Sequence, residues 1–209
     1  MLLRKTIRQW LPLPLCCLLL FFPAACSSGP QLPPLAPDAV ILCFGDSLTY
    51  GTGASEAESY PMQLAALTGR RVTRAGVPGE LSARGLERLP EALDETAPDL
   101  LILCHGGNDL LQRQDQGQLK ANLAAMIELA RSRGVAVMLI AVPEPSLALK
   151  PPALYGELAR EFDLPIERKI LADIVTKGSL KSDRVHPNAA GYRKMAEAVA
   201  KALRRSGAL

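Results

Sequence analysis

Five apolar runs alternate with longer stretches of helical periodicity along this chain. The runs are continuous, as in strands of a parallel sheet that are buried on both faces. They lie at 39–44, 71–75, 99–104, 135–142 and, across a proline, 164–166. Because Pro165 cannot donate a backbone hydrogen bond, we expect the last run to form an edge strand.

Helical patterns fill the intervals between these predicted strands. The last is the clearest, since its apolar positions recur every three or four residues over 192–203. Pro61 and Gly69 mark the first, in the usual positions of these residues at helix ends. Further patterns cover 86–93, 119–130 and 152–162. The alternation predicts an α/β three-layer α/β/α sandwich with a five-stranded parallel sheet.

The first 25 residues have the order of an export signal: basic residues, an apolar segment over 11–22, then small residues before Cys26. The apolar segment is shorter than the ~20 residues that span a bilayer. Small residues followed by cysteine resemble a bacterial lipoprotein signal, which implies lipid attachment at Cys26. Simple secretion and an uncleaved anchor remain alternatives.

We therefore expect a signal peptide over 1–25, a lipidated and proline-rich tether over 26–38, and a folded domain over 39–209. Ser27, directly after the cysteine, resembles signals that sort lipoproteins to the outer membrane. The expected location is the periplasmic side of the cell envelope, as an outer-membrane lipoprotein, or as a periplasmic or secreted protein if Cys26 carries no lipid.

Charge and cysteine content do not indicate a nucleic-acid-binding protein or a metalloprotein. The chain has 24 basic and 21 acidic residues. Three of the basic ones lie in the export signal, so the rest has no formal net charge and does not indicate a nucleic-acid partner. Cys43 and Cys104 lie inside apolar runs and are expected to be buried and free. No Cys or His cluster has metal-ligand spacing, and no metal or cofactor is predicted.

Polar residues follow three of the predicted strands. Ser47 follows the first, Gly79 lies in a glycine-rich loop after the second, and Asn108 follows the third. In a flavodoxin-like sheet of order 2-1-3-4-5 these loops are neighbours. A hydroxyl, a free backbone N–H and a carboxamide are the groups of an acyl-transfer site with an oxyanion hole.

Such a serine needs a base, and the chain has two histidines. Asp183 stands three residues before His186, close enough to fix its ring while the other nitrogen faces the serine. This pair alone could equally be a surface pair at a helix entrance. His105 ends the third predicted strand without a local carboxylate, and we interpret it as a structural residue that lines the site.

Four segments resemble the signature blocks of the SGNH (GDSL) hydrolase family. They are Gly45-Asp46-Ser47-Leu48, Gly79, Gly106-Gly107-Asn108-Asp109 and Asp183-x-x-His186-Pro187. The similarity spans 39–205 and most suggests bacterial periplasmic thioesterase/lysophospholipase and arylesterase enzymes. It implies that Ser47 is the nucleophile, His186 the general base and acid, and Asp183 its orienting partner. It also implies an oxyanion hole formed by the N–H groups of Ser47 and Gly79 and the side chain of Asn108.

The second block departs from the family pattern, because Arg74 stands where asparagine is frequent and Pro78 directly precedes Gly79. Since the required donor is the Gly79 N–H, we expect the oxyanion hole to be retained. The expected function is a serine hydrolase that cleaves small carboxylic esters or thioesters through an acyl-enzyme. The alternatives are a carbohydrate acetylesterase and a catalytically silent binding lipoprotein on the same fold.

Overall fold

A computed structural model of the chain describes residues 29–146 and 149–209. The predicted signal peptide and Cys26 lie outside the described residues.

The described elements follow one another as alternating strands and helices, with 3₁₀ turns at Glu56–Glu58 and Gly178–Leu180. In chain order they are β1 (Val40–Gly45), α1 (Ser47–Tyr50), α2 (Tyr60–Thr68), β2 (Arg71–Gly76), α3 (Ser82–Thr96), β3 (Leu100–Cys104), α4 (Gly107–Leu111), α5 (Gln116–Ser132), β4 (Ala136–Ile140), α6 (Ala153–Glu161), β5 (Ile166–Glu167), α7 (Ile170–Val175) and α8 (Ala189–Arg205).

The five strands form one parallel sheet in the order β2-β1-β3-β4-β5, which confirms the predicted topology. α2 packs against α8, while α5 packs against α3 and α6. With right-handed crossovers these two groups cover opposite faces of the sheet. The central strands are therefore buried on both sides, and every residue of β3 is buried. β5 has only two residues and lies at the edge, directly after Pro165.

Three short helices were not predicted from the sequence. α1, α4 and α7 have four, five and six residues. Such lengths are less than two turns, so a periodicity of 3.6 residues cannot show in them. Two of the three, α1 and α4, begin directly after strands that lead into the candidate site.

The folded domain begins before the predicted boundary at residue 39. The N–H of Leu32 donates to the carbonyl of Ser206 at 2.8 Å, and that of Leu35 donates to the carbonyl of Ala208 at 2.9 Å. Both leucine side chains are buried. The part of the proposed tether from Leu32 onward therefore belongs to the domain, because its leucines pack beyond the end of α8.

Cys43 and Cys104 are buried and free, as expected. Burial raises the pKa of the Cys43 thiol to about 12, which keeps it protonated and unreactive.

Within 29–146 and 149–209, no helix has both the length and the apolar composition needed to cross a membrane.

Candidate active site

The loops after β1, β2 and β3 meet at the carboxyl edge of the sheet, as expected for neighbouring parallel strands. A cavity of about 750 Å³ opens there. Ser47, Gly79, Asn108 and His186 all line it. The structure thus brings together residues from four separate parts of the chain.

Ser47 is the first residue of α1, which follows β1 after one residue. The Asp46 carboxylate caps this helix by accepting the N–H of Leu48 at 3.0 Å. Gly51, in the left-handed region at φ 93°, ends it. The first N–H groups of a helix have no partner within it. Among the described residues no acceptor binds the N–H of Ser47, so this donor is free at the cavity wall.

His186 connects Ser47 to Asp183 through its two ring nitrogens. Its Nε2 lies 2.9 Å from Ser47 Oγ, and its Nδ1 lies 2.7 Å from Asp183 Oδ2. The other oxygen, Asp183 Oδ1, accepts the backbone N–H groups of Val185 and His186, both at 2.8 Å. The carboxylate is thereby fixed in position relative to the ring.

The hydrogen bonds also set the charge of Asp183. Desolvation alone would raise the pKa of its carboxyl, but the bonds from the His186 ring and the neighbouring N–H groups lower it to about 2. An ionised Asp183 requires a proton on Nδ1 of His186. Nε2 is then free to accept the Ser47 hydroxyl proton, which is the arrangement that activates a serine.

The turn that carries this pair is closed by backbone hydrogen bonds. Lys181 and Pro187 form an antiparallel bridge, and the N–H of Ser182 donates to the carbonyl of His186 at 3.0 Å. Asn188 then caps α8 by accepting the N–H of Gly191 at 3.0 Å. The histidine is therefore held by a tight loop at a helix start.

Two further donors lie on the same cavity wall. Gly79 adopts φ +79°, a left-handed conformation that favours glycine. Within the described part of the chain its N–H binds no acceptor. Asn108 Nδ2 donates one hydrogen to the carbonyl of Glu80 at 3.0 Å, which leaves its second N–H available. With the Ser47 N–H, these groups can stabilise a developing oxyanion.

Pro78 lines the cavity beside Gly79 without removing the Gly79 donor. Arg74, the other departure in the second block, is not part of the cavity wall. It lies over the Tyr50 ring at 4.7 Å and forms an ion pair with Glu56 at 3.2 Å. The altered block therefore leaves the N–H groups of the site in place.

His105 is fully buried, which agrees with its interpretation as a structural residue, but it does not line the cavity as expected. Its Nε2 lies 3.1 Å from Glu80 Oε2, and its Nδ1 accepts the N–H of Gly106 at 2.9 Å. Glu80 also pairs with Arg88. The sequence does not mark this carboxylate as the partner of His105, because Glu80 and His105 are 25 residues apart and belong to different loops.

Asp109, the last residue of the third block, faces away from the cavity. Its carboxylate accepts the N–H and the hydroxyl of Ser82 at 2.9 and 2.6 Å, at the start of α3. The loop after β3 is in this way tied to the loop after β2.

The remaining cavity wall is mostly apolar, and no Phe, Tyr or Trp belongs to it among the described residues. Leu111 lines the cavity, whereas Leu110 is buried in the core. The apolar lining comprises Leu48, Leu111, Val142, Leu149, Leu171, Val175 and Val185. Such a wall suits the hydrocarbon part of an acyl or aryl group.

The described residues hold no group of three His, Cys, Asp or Glu side chains arranged to bind a metal ion.

Known proteins share both the sequence pattern and the fold. Residues 43–194 match the model of the GDSL-like Lipase/Acylhydrolase family. An arylesterase of Vibrio mimicus is 30% identical, over 78% of this chain and 87% of its own length. The thioesterase 1/protease 1/lysophospholipase L1 of Escherichia coli K12 is 27% identical, over 78% of this chain and 82% of its own length.

Among solved structures, the crystal structure of TesA is similar with a TM-score of 0.70 and 28% identity. The match covers 79% of this chain and 98% of that one. The family match spans most of the described domain and includes Ser47, Gly79, Asn108 and His186. The chain therefore belongs to the GDSL-like lipase/acylhydrolase family, and it is an ester hydrolase.

Proposed function

We propose that Ser47, His186 and Asp183 are the catalytic triad of this hydrolase, and that the N–H groups of Ser47 and Gly79 and the side chain of Asn108 form its oxyanion hole. One observation carries the proposal. The hydrogen-bonded chain from Asp183 through His186 to Ser47 Oγ ends in a cavity whose wall carries unpaired donors.

In the proposed reaction, Ser47 Oγ attacks the carbonyl carbon of the substrate while His186 Nε2 takes the hydroxyl proton. The carbonyl oxygen becomes an oxyanion that the three donors stabilise. His186 then gives its proton to the leaving alkoxide or thiolate, and the acyl group stays on Ser47. Water, deprotonated by His186, attacks this ester; the bond between the acyl carbon and Ser47 Oγ breaks, His186 returns the proton to Ser47 Oγ, and the carboxylic acid is released.

The substrate we propose is a small acyl or aryl ester, or the corresponding thioester. The apolar wall supports this class, and the Escherichia coli relative carries both thioesterase and lysophospholipase in its name. A carbohydrate acetylesterase is less well supported, because no aromatic side chain among the described cavity residues offers a sugar ring a stacking surface.

The test is hydrolysis of a panel of nitrophenyl esters and acyl-CoA thioesters by the protein and by Ser47→Ala. We expect turnover of at least one ester series, and its loss by several orders of magnitude in the variant, because no other group replaces the nucleophile. Activity that survives Ser47→Ala would refute the site assignment. No turnover by the unaltered protein would favour the silent binding lipoprotein.

We also propose export to the periplasmic side of the envelope, with lipid attached to Cys26. The order of basic, apolar and small residues before Cys26 supports this proposal, and the position of the first described residues is compatible with an anchor. Leu32 and Leu35 bind Ser206 and Ala208, after the end of α8. α8 starts beside His186 and runs back along the sheet, so its end lies at the edge opposite to the cavity. An anchor attached there would hold the cavity away from the membrane.

The mass of the mature N-terminus tests this second proposal, with Cys26→Ser as the matched control. We expect a diacylglycerol-sized mass increase on Cys26 and none in the variant. An unmodified cysteine, or cleavage at another position, would refute lipid attachment and leave the enzymatic proposal unaffected.

A further inference from the structure

A hydrogen-bonded cluster of polar side chains lies next to the proposed oxyanion hole and consists of Glu80, Arg88 and His105. Arg88 Nε donates to Glu80 Oε1 at 2.8 Å, and Arg88 Nη2 donates to Oε2 at 2.6 Å. His105 Nε2 lies 3.1 Å from the same Oε2. The Glu80 side chain is 6% exposed, that of His105 is fully buried, and that of Arg88 is 25% exposed.

Burying such a pair is not an efficient way to gain stability. Desolvation of two charges can exceed their mutual attraction, and apolar residues of the same volume often stabilise a fold as well or better. Arg88 also lies 4.0 Å from the Phe44 ring centroid, and its Nη2 donates to the carbonyls of Gly45 and Ala75 at 3.3 and 3.4 Å. Stability alone therefore does not explain why this ion pair is present.

The cluster contacts both loops that supply the proposed donors. Glu80 directly follows Gly79, and its carbonyl accepts a hydrogen from Asn108 Nδ2 at 3.0 Å. His105 Nδ1 accepts the N–H of Gly106 at 2.9 Å, in the turn that leads to Asn108. One carboxylate, with the histidine bound to it, thus connects the loop after β2 to the loop after β3.

The hydrogen bonds also define the state of His105. An Nδ1 that accepts a backbone N–H carries no proton, so the remaining proton is on Nε2 and is donated to Glu80. Glu80 Oε2 then receives hydrogens from both Arg88 and His105, and Oε1 receives one from Arg88. The carboxylate is held from two directions, and the backbone at residue 80 is fixed with it.

We propose that Glu80, held by Arg88 and His105, is a positioning residue that fixes the Gly79 N–H and the Asn108 side chain of the oxyanion hole. This inference rests on the proposed function. Donors act on the transition state only when they are correctly placed, and an error of about 1 Å can cost about 10²-fold in rate. Binding of the acyl group depends on the apolar wall instead, so Glu80 should influence kcat and leave KM nearly unchanged.

Glu80→Gln tests this, because it keeps the shape of the side chain and removes the charge that Arg88 and His105 hold. We expect kcat to fall about 10-fold with KM within about twofold of the original value, since only transition-state binding is lost. Glu157→Gln is the matched control. It removes a carboxylate that pairs with Lys120 at 2.9 Å on α6, away from the cavity, and should leave both constants unchanged.

A double-mutant cycle separates positioning from a general structural effect. In an Asn108→Ala background the carboxamide is already absent, so Glu80→Gln can no longer lower kcat by displacing it. We therefore expect Glu80→Gln to lower kcat at most about threefold in that background. Arg88→Lys keeps the positive charge but not the paired donors. In the same cycle it should lower kcat less than Glu80→Gln does, and this loss should also shrink in the Asn108→Ala background.

Equal losses of kcat in both backgrounds, or a change confined to KM, would overturn the positioning role. Failure of the proposed function would look different. In that case Asn108→Ala alone would keep near-normal turnover, whatever the effect of Glu80→Gln. Thermal unfolding of each variant confirms that folded protein is being compared.

Discussion

Two carboxylates next to the candidate site, those of Asp183 and Glu80, are held ionised by the hydrogen bonds they accept. Desolvation alone would raise the pKa of Glu80, but the bonds from Arg88 and His105 lower it from 4.5 to about 2. Asp183 is lowered to a similar value by His186 and neighbouring N–H groups. In the proposed site, Glu80 orients the loops with the donors, and Asp183 orients the base.

Asn108→Ala should reduce kcat by about 10²–10³, because one oxyanion donor is lost. Among the described residues its side chain makes one hydrogen bond, to the Glu80 carbonyl, so the fold should persist. Steady-state hydrolysis of a short-chain nitrophenyl ester measures the effect. Gln112→Ala, which removes an exposed carboxamide just after α4, is the control. Near-normal turnover by Asn108→Ala would contradict its proposed role.

Glu80 should also make stability depend on pH. Its pKa is lower in the folded chain, so the unfolded chain binds more protons between about pH 4.5 and 2 and stability is lost as pH falls through that window. The loss from this one group should be roughly 2 kcal/mol between pH 5 and pH 3. Urea unfolding at the two pH values measures it.

In Glu80→Gln, the difference between the free energies of unfolding at pH 5 and pH 3 should be smaller by about this amount, while the contribution of Asp183 remains. A pH dependence that is the same with and without the Glu80 carboxyl would show that this group has an ordinary pKa.

Among the helices, α3 contains a glycine where it contacts His105. A Cβ at Gly85 would collide with Nε2 of His105, the atom that binds Glu80. Glycine within a helix normally costs about 0.5–1 kcal/mol relative to alanine. At this position its lack of a side chain makes room for the buried cluster.

Gly85→Ala should therefore destabilise the protein by about 1–3 kcal/mol and lower kcat, since the ring must move. Gly156→Ala in α6 is the matched control. Its Cβ would meet the flexible ends of Arg168 and Arg160 at 3.3 and 3.6 Å, so stability should stay the same or increase. Urea unfolding and ester hydrolysis of both variants provide the test. An increase in the free energy of unfolding in Gly85→Ala would contradict the close contact between position 85 and the His105 ring.

The sequence predicts the long elements well because their signals are local. β1, β3 and β4 appear as apolar runs, and α8 as a periodic stripe. Ser47, Asn108, Asp183 and His186 could be selected through a family resemblance, and the structure brings them together. The pairing of Glu80 with His105 could not be foreseen, because neither spacing nor periodicity marks a contact between two loops 25 residues apart.

The two ends of the described chain meet on the side of the molecule away from the cavity. Leu32 and Leu35 are 8% and 9% exposed there, which makes them part of the core and not of a free tether. Composition misled the boundary prediction, because a segment rich in proline looks like a spacer although its leucines are buried. The two ends of the described chain therefore lie at one edge of the sheet, and the proposed catalytic site lies at the other.

Leu35→Ala should lower the free energy of unfolding by about 2 kcal/mol or more, as for other buried leucines. Leu111→Ala is the control for stability, because Leu111 is 47% exposed and should change it by no more than about 0.5 kcal/mol. Urea titration of both variants compares them. Equal stability of Leu35→Ala and the unaltered protein would show that the domain begins later in the chain.

Covalent labelling with a fluorophosphonate tests the proposed nucleophile most directly. The folded protein should gain one adduct, and peptide mass analysis should locate it on Ser47. The rate should fall sharply in His186→Ala, which keeps the hydroxyl but lacks the base, and no adduct should form in Ser47→Ala. Absence of an adduct in the folded protein, or an adduct on another residue that persists in Ser47→Ala, would contradict the proposed catalytic site.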